Sequence, residues 1–391
     1  MVLVAFCFVL RSNFHIQNDT VYMMQDAESK ALMPSSTSDN YKMTKEFYNT
    51  LSDFRYARFS QMLKPSLSSA IPGLSQADVL GENCDTMVPQ GICFAKNYML
   101  ISAYDYGKRV DGKYTKCNSV IYVLSNENPK ERKYLTTIVL PDINHVGGLA
   151  FDGRYVWIAK STSGTCSALD IYQIELAVIS GQNSYAVKDY VATVDCGMTS
   201  SFLTYYDDRL WVGTFANQSQ KKGTLTSFEI HGSGSNLKLE KKNSLAIPCY
   251  ANGVTLERIN GVTCMAVVCS YSRSMDSKIC IYRLNETKDG ALSLKHNATY
   301  RFPPMGEEVT SDGEYAYFLF ESAANVYSEN LNRCLTPIDR VCAVAIKDLF
   351  MYMVSDMQIC EGRGQVPYEY SLVTDMMLPK DFYEWLEKTI V

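Results

Sequence analysis

The segment GLAFDGRYVWIAKS, residues 148–161, decides the fold because the chain repeats its pattern. It consists of an apolar strand, a turn at Asp-Gly and an aromatic strand. The pattern recurs in FLTYYDDRLWVGTF (202–215) and EVTSDGEYAYFLFES (308–322), and weaker copies begin at Gly91 and Gly253. The five copies start 57, 54, 51 and 55 residues apart, about 54 on average. Such a period indicates an array of similar supersecondary units.

Each unit contains two further strand candidates, one after a polar loop and one before the next unit. Third strands are predicted at 119–124, 168–174, 224–230, 278–284 and 341–346, and fourth strands at 134–140, 190–194, 243–247 and 298–302. Four short antiparallel strands per repeat, with turn residues between them, predict an all-β fold and a β-propeller.

The number of units predicts five blades. The alternative is six blades, if residues 349–354 begin another unit. The fifth unit has no evident fourth strand, whereas residues 71–79 precede the first unit with no earlier blade to join. We therefore expect this N-terminal strand to complete the last blade and close the ring, which removes exposed sheet edges.

The sequence divides into a propeller and flanking segments. Apolar positions at helical spacing predict an N-terminal amphipathic helix and a C-terminal helix that flank the ring. Residues 2–10, VLVAFCFVL, have the length of a signal-peptide core, so we expect a secreted or extracellular protein. The predicted units are a flexible leader at 1–41, a helix and linker at 42–70, the propeller at 71–350 and a C-terminal extension at 351–391.

The amino-acid composition limits the classes of molecule that the protein can be expected to bind. The 391 residues are 47% apolar, and 37 basic against 42 acidic residues give a net charge of -5 without a basic block. Nucleic-acid binding therefore has no electrostatic basis. No apolar run reaches the roughly 18 residues of a spanning helix, so no membrane span is expected. The expected partner is a small molecule, a glycan or a protein, and the protein is expected to be a monomer.

The 13 cysteines are too sparse for a disulfide scaffold, and at least one of them is unpaired. Cys334 and Cys342 bracket a polar loop and are the best disulfide candidates. The four histidines have no zinc-ligand spacing.

Alignment of the units predicts where polar side chains converge. The residue just before each innermost strand should lie at one mouth of the central channel, and the second strand should end at the same mouth. The first set is Gln90, Gly147, Ser201, Asn252 and Glu307, and the second set is Asp105, Lys160, Asn217, Tyr271 and Glu321. The polar members of these sets are the predicted ligand-binding residues, above all Gln90, Ser201, Asn252, Glu307, Asp105, Lys160 and Glu321.

Catalytic candidates lie at the same mouth. Glu307 and Glu308 are adjacent and should point to opposite sides of a strand. Either one is a candidate acid or base, with His145 or Glu321 assisting. A glycoside hydrolase would need a second carboxylate about 5 to 10 Å away, which Glu321 or Asp105 would supply.

A metal site is a further hypothesis. Oxygen atoms of Gln90, Asn252 and Glu307 would suit Ca²⁺, although one carboxylate indicates weak binding. No other cofactor is expected. Nucleophile-elbow and phosphate-loop motifs are absent from the sequence.

Three functions remain open at this point. The favoured one is a non-catalytic propeller that binds a small molecule, glycan or peptide at the channel mouth. The alternatives are a propeller-fold hydrolase, glycosidase- or lactonase-like, and a protein-interaction scaffold that uses the aromatic segment 104–114.

Several short motifs resemble a group of secreted β-propeller proteins of uncharacterised function from Gram-positive bacteria and other microbes. The motifs are PQGI (89–92), HVGG (145–148), SFLTYY (201–206), LWVG (210–213), FESAA (320–324) and PIDR (337–340). The resemblance spans about residues 71–350 and implies the fold and secretion, but it supplies no catalytic residue. Glu308 departs from the glycine that three of this chain's own units carry, at Gly91, Gly148 and Gly253.

Overall fold

The computed structural model describes residues 50–51, 53–74, 80, 84–217, 222–287, 290–328 and 333–351. These residues form five sheets, each built on four antiparallel strands, and a separate two-stranded hairpin. The innermost strands of successive sheets contact one another, and that of the fifth sheet contacts that of the first. The predicted five-bladed propeller is confirmed, and the six-bladed alternative is wrong because five sheets already close the ring; residues 352–354 lie outside the described residues.

The strands follow the predicted repeat closely. In chain order they are β1 (Ser69–Ala70), β2 (Met87–Ala95), β3 (Tyr98–Asp105), β4 (Lys108–Val110), β5 (Lys113–Thr115), β6 (Val120–Ser125), β7 (Tyr134–Val139), β8 (Val146–Phe151), β9 (Tyr155–Lys160), β10 (Thr165–Asp170), β11 (Ser184–Ala186), β12 (Ala192–Asp195), β13 (Phe202–Tyr206), β14 (Arg209–Thr214), β15 (Gly223–His231), β16 (Lys238–Ile247), β17 (Ala251–Ile259), β18 (Val262–Cys269), β19 (Ser277–Glu286), β20 (Leu292–Phe302), β21 (Gly306–Ser311), β22 (Tyr315–Phe320) and β23 (Arg340–Ala345).

Each blade runs outward from the channel in strand order. Blade 1 contains β2, β3, β6 and β7, and β11 adds to its outer edge in parallel to β7. Blade 2 contains β8, β9, β10 and β12, blade 3 contains β13 to β16, and blade 4 contains β17 to β20. Blade 5 contains β21, β22, β23 and β1. The hairpin of β4 and β5 lies in the connection from β3 to β6.

The ring is closed by an N-terminal strand, as predicted, but that strand is β1. Ser69 pairs with Val341 and Ala70 with Arg340. The expected position at 71–79 is wrong for its described part, because Pro72 and Gly73 form a turn and Gly73 has a φ of +75°. Residues 75–79 lie outside the described residues.

Short helices flank the sheets. A 3-10 turn at Phe54–Tyr56 leads into α1 (Ala57–Met62), and the Phe59 ring packs 4.6 Å from that of Phe302 in blade 4. The N-terminal helix is therefore shorter within the described residues than its predicted extent, and its part before residue 50 lies outside them. The leader and the C-terminal helix also lie outside them.

Two further helices were not predicted. Helix α2 (Ile171–Ser180) replaces the end of the predicted strand 168–174, because the Asp170 carboxylate accepts a hydrogen bond from the Tyr172 N–H and caps the helix. Helix α3 (Ile346–Leu349) follows β23. Among the described residues, no helix combines the length and the apolar character that a bilayer span needs.

The core consists of apolar clusters between adjacent blades. Each cluster takes side chains from the facing sides of neighbouring sheets. The N-terminal segment extends two of them, since Leu67 and Ile71 join the cluster between blades 5 and 1, and Tyr56 and Phe59 join that between blades 4 and 5. Burial of these side chains at roughly 25 cal/mol per Å² of apolar surface supplies the main driving force for folding.

One disulfide bond is present among the described cysteines, between Cys84 and Cys117. It connects the segment before β2 with the segment after the β4–β5 hairpin. The expected Cys334–Cys342 bond is wrong. Both thiols are free and buried, and they lie in different interblade clusters on opposite faces of blade 5.

Glu308 occupies the axis of the ring and is fully buried. Its carboxyl oxygens accept hydrogen bonds from the main-chain N–H groups of Ile92, Leu149 and Leu203, at 2.8, 3.1 and 3.4 Å. These donors belong to the innermost strands of blades 1, 2 and 3. One side chain of blade 5 therefore connects the inner strands of three other blades.

Glycines make room for this contact. A Cβ atom on Gly148 would lie 2.9 Å from the Glu308 Oε1 atom and 2.5 Å from the Leu203 nitrogen. A Cβ atom on Gly253 would lie 2.6 Å from the Glu308 Cα atom. Blade 5 can therefore carry a glutamate at position 308 because the facing residues of the other units are glycines.

Replacement of Glu308 by alanine should destabilise the ring. Three buried N–H groups would lose their acceptor, and each such loss costs about 1–3 kcal/mol. We expect the free energy of unfolding in urea to fall by at least about 3 kcal/mol. Glu308→Gln, which keeps one acceptor oxygen, should have an intermediate effect, and the exposed Glu314→Ala should have little. Wild-type stability of Glu308→Ala would contradict this account.

Candidate functional site

A pocket of about 750 Å³ opens at one mouth of the central channel. All five residues of the first predicted set line it, one from each blade. They are Gln90, Gly147, Ser201, Asn252 and Glu307. Repeat alignment therefore located the wall of this pocket from sequence alone.

Irregular strand pairing explains why these positions face the pocket. In four blades the register between the first and second strands shifts at this point. Gln90 and Asn252 are extra residues in such shifts, and Glu307 and Glu308 both lie within the shift of blade 5. A bulge re-aims side chains at a strand end. Glu307 consequently lines the pocket while Glu308 enters the channel.

A pair of carboxyl groups, from Glu307 and Glu321, is the most unusual electrostatic feature of the pocket. The two groups are close enough to influence each other's pKa, and a hydrogen bond between them forms when one of them carries a proton. Burial raises the pKa of both, to about 7 for Glu321, and the nearby charge of Glu321 raises the pKa of Glu307 further. The pair titrates as a unit, and the pKa values of both groups lie above that of an ordinary glutamate.

Neighbouring side chains fix the position of Glu321. Its Oε2 atom accepts hydrogen bonds from the Gln90 amide at 3.1 Å and from the Tyr327 hydroxyl at 3.3 Å. The guanidinium of Arg273 lies 5.1 Å from the centre of the Tyr327 ring, and its charge lowers the pKa of Glu321 somewhat. Blades 1 and 5 and the β18–β19 connection thus meet around one carboxyl pair.

His145 lines the pocket beside Tyr104, with ring centres 4.5 Å apart in a stacked arrangement. Burial lowers the pKa of His145 to about 4, and the charge of Lys116 contributes. The imidazole is therefore neutral at physiological pH. Its Nδ1 atom is buried and has no hydrogen-bond partner among the described residues.

Aromatic rings form a row at one side of the pocket. The rings of Tyr250 and Tyr271 lie 4.5 Å apart, and those of Phe215 and Tyr250 lie 6.1 Å apart. Phe215 and Tyr271 both line the pocket, and Tyr271 is 56% exposed. The row presents flat apolar surface next to the polar wall.

Glu308, Asp105 and Lys160 are predicted site residues whose side chains are engaged away from the pocket. The Asp105 carboxylate accepts hydrogen bonds from the Thr86 hydroxyl and from the main-chain N–H groups of Gly107 and Cys117, which lie on either side of the β4–β5 hairpin. The Lys160 ammonium pairs with Asp142 and lies 3.8 Å from the Tyr190 ring centre. Asn217, also predicted at this mouth, is exposed and is not a lining residue.

The three suggested Ca²⁺ ligands all line the pocket, and the nitrogen atoms of the two amide groups have hydrogen-bond partners. The Asn252 amide donates to the main-chain oxygens of Ser270 and Gly306, each at 3.3 Å. The Gln90 amide donates to Pro89 and Glu321. A cation at Glu307 would have to displace the proton shared with Glu321. Ca²⁺ binding stays a prediction.

Sequence reasoning missed several lining residues. Ser161, Phe215 and Ser270 follow the second strands of blades 2, 3 and 4, so the repeat alignment contained a signal for them. Tyr327 lies in a 3-10 turn within the long β22–β23 connection, and Arg273 lies in the β18–β19 connection. The connections between second and third strands differ in length and sequence from unit to unit, so no periodic signal identifies these two residues.

No protein-family model matches the chain. No curated protein matches its sequence either. Among solved structures, it is similar to the glutaminyl cyclase of Myxococcus xanthus, with 12% identity, a TM-score of 0.35, and coverage of 67% of this chain and 92% of that chain.

Two further solved structures have comparable similarity. The nidogen/laminin complex gives 13% identity, a TM-score of 0.34, and coverage of 61% of this chain and 73% of that chain. A putative 6-phosphogluconolactonase from Bacteroides fragilis gives 10% identity, a TM-score of 0.33, and coverage of 63% and 79%. Similarity at this level carries no information about activity.

Stability should depend on pH through the carboxyl pair. The folded pKa of Glu321, about 7, lies above the value of about 4.3 for an unfolded glutamate. The folded state therefore binds more protons in this range, and the contribution of Glu321 to stability is fully present below about pH 4.3 and is lost as pH rises towards 7. Glu321→Gln should flatten this slope in urea unfolding measured across the range. Glu314→Gln should keep it, and an unchanged slope in Glu321→Gln would contradict the assignment.

Proposed function

We propose that the protein binds an uncharged, hydroxyl-rich ligand such as a glycan at the mouth of its central channel. The proposal rests on the Glu307–Glu321 pair, whose pKa values are raised by burial, to about 7 for Glu321, in a pocket of about 750 Å³, so that we infer a shared proton. A protonated carboxyl group both donates and accepts hydrogen bonds. The pair can therefore bind a ligand hydroxyl without the cost of two buried negative charges.

The remaining polar groups of the pocket support a ligand of this kind. Hydroxyl and amide side chains line the pocket beside the neutral imidazole of His145. Gln90 and Asn252 are held in inner strands, and the other groups lie in the connections between strands. The polar lining residues with hydroxyl or amide groups are Gln90, Ser161, Thr199, Ser201, Asn252, Ser270, Ser272 and Ser274.

The aromatic row supports the same ligand class. A pyranose ring has an apolar C–H face as well as a polar edge, and a flat aromatic side chain packs against such a face. Phe215 and Tyr271 offer that surface beside the hydroxyl-rich wall. We infer that the sugar face would pack here while its hydroxyl groups reach the carboxyl pair.

We further propose an extracellular location, as expected for a secreted protein. The Cys84–Cys117 disulfide supports it, because disulfides form and persist mainly in oxidising compartments.

Binding to neutral glycans should depend on the aromatic row and on pH. A glycan array followed by calorimetry should identify a ligand, and Tyr271→Ala should weaken it about tenfold. Tyr172→Ala, an exposed tyrosine of α2, is the matched control. Affinity should fall above pH 7 as the pair loses its proton. The proposal fails if no neutral glycan binds, or if affinity is the same at pH 6 and pH 9.

A second function, hydrolysis, is favoured by the shared proton. In a carboxyl pair with one proton, the charged group can activate water while the neutral group protonates a leaving atom. Glycosidases keep their two carboxyl groups about 5 to 9.5 Å apart so that they flank the sugar, whereas Glu307 and Glu321 are in hydrogen-bond contact. The pair therefore suits an ester, lactone or amide substrate better than a glycoside.

Hydrolysis is tested by turnover of an ester, lactone and amide panel. Glu307→Gln and Glu321→Gln should each lower kcat by about 10²–10⁴-fold, the usual contribution of acid–base catalysis. The exposed Glu314→Gln should leave kcat unchanged. Absence of turnover by the wild-type protein across the panel would leave binding as the function of the pocket.

A further inference from the structure

Two buried thiol groups lie in contact in blade 2. Cys166 is in β10, and Cys196 follows the edge strand β12. Their exposed fractions are 0% and 6%, and their sulfur atoms are 3.1 Å apart. Each of these thiols therefore has another cysteine as its neighbour inside an apolar cluster.

The backbone already brings the two residues together. Cys166 pairs with Val194 in the β10–β12 ladder, and the Cys196 N–H continues the contact by donating to the Gly164 oxygen at 3.2 Å. A disulfide needs a sulfur separation of about 2.0 Å. The sulfur atoms must thus approach by about 1 Å, which side-chain rotation can supply without a new backbone path.

We propose that Cys166 and Cys196 form a disulfide bond when the protein folds in an oxidising compartment. The oxidant is a small disulfide such as glutathione disulfide. One cysteine thiolate attacks it, forms a mixed disulfide and releases one glutathione thiolate; the second cysteine thiolate then attacks the mixed disulfide and releases the other. The two cysteine sulfurs are oxidised, the glutathione disulfide is reduced to two thiols, and the two cysteine protons pass to these thiols.

The bond forms during folding. In the folded protein both sulfurs are buried, and the contact with Cys196 together with burial raises the pKa of Cys166 well above that of a free thiol. Thiolate is the reactive form, so the folded thiols react slowly. Exchange must therefore occur while the segment from 166 to 196 is still accessible to the reagent.

The bond would link the edge strand of blade 2 to its neighbour and would hold one wall of the pocket in place. Strand β12 is held to β10 by a ladder of only four residue pairs, and the chain leaves it at Cys196. The connection that follows carries Thr199 and Ser201 to the pocket before β13 begins. The disulfide would fix the start of this connection.

Another thiol contact, between Cys269 and Cys280, is a weaker candidate. These residues are hydrogen-bonded, but in the β18–β19 ladder Cys269 pairs with Lys278 and Cys280 pairs with Val267. Diagonal positions of regular strands lie about 7–8 Å apart, which is near the limit for a disulfide. Cys196 has the same diagonal offset from Cys166, but there the two sulfur atoms are already 3.1 Å apart.

The experiment refolds the full chain in a mixture of reduced and oxidised glutathione, alkylates free thiols and digests the protein without reduction. Mass spectrometry should find the Cys166 and Cys196 peptides joined, with the mass of the two free peptides less two hydrogens, while Cys264 is alkylated. The Cys84–Cys117 bond reports that conditions were oxidising enough. Recovery of alkylated Cys166 and Cys196 alongside an intact Cys84–Cys117 bond would overturn the proposal.

A thermal measurement provides an independent readout. Under oxidising conditions Cys196→Ser should lower the Tm by roughly 5 °C relative to wild type, because the bond closes a loop of about 30 residues. With a reductant present, the difference between the variant and wild type should largely vanish. Cys264→Ser, which removes a buried thiol that contacts the Val262 oxygen, should give the same difference from wild type in both conditions. Equal differences for Cys196→Ser in both conditions would contradict the bond.

Discussion

The Glu308 carboxyl group accepts hydrogen bonds from the inner strands of three blades, and its main chain packs against Gly253 of a fourth. One residue of blade 5 thus contacts every other blade at the axis. The contact requires that the inner strands approach closely, which side chains at Gly91 or Gly148 would prevent. The ring and its channel depend on this combination of one carboxyl group and several glycines, which have no side chain.

The pocket is a consequence of the same strand ends. The shift in strand pairing in blade 5 sends Glu308 into the channel and leaves Glu307 at the mouth, in contact with Glu321. Two neighbouring glutamates consequently have different environments and different roles. One is held by main-chain donors that stabilise the fold, and the other shares a proton in a cavity.

The contacts that close the ring are different from those that form the pocket. Strand β1 completes blade 5 with only two residue pairs, so the segment around it must hold by other contacts. Burial of Ile71 and Leu74 between blades and of Phe59 against blade 4 supplies them. The N-terminal segment is thereby part of the core rather than an addition to it.

The sequence by itself determined the five-bladed propeller and the five inner positions of the pocket, because a repeat of about 54 residues fixes equivalent positions wherever the units are alike. It did not determine the partner of Glu307, the free state of Cys334 and Cys342, helix α2, or the outward engagement of Asp105 and Lys160. These depend on insertions and on contacts between residues far apart in the chain, such as Glu307 with Glu321 and Cys84 with Cys117. The repeat reveals only the positions that the units have in common. Which of the residues that differ between units come into contact is decided by tertiary packing.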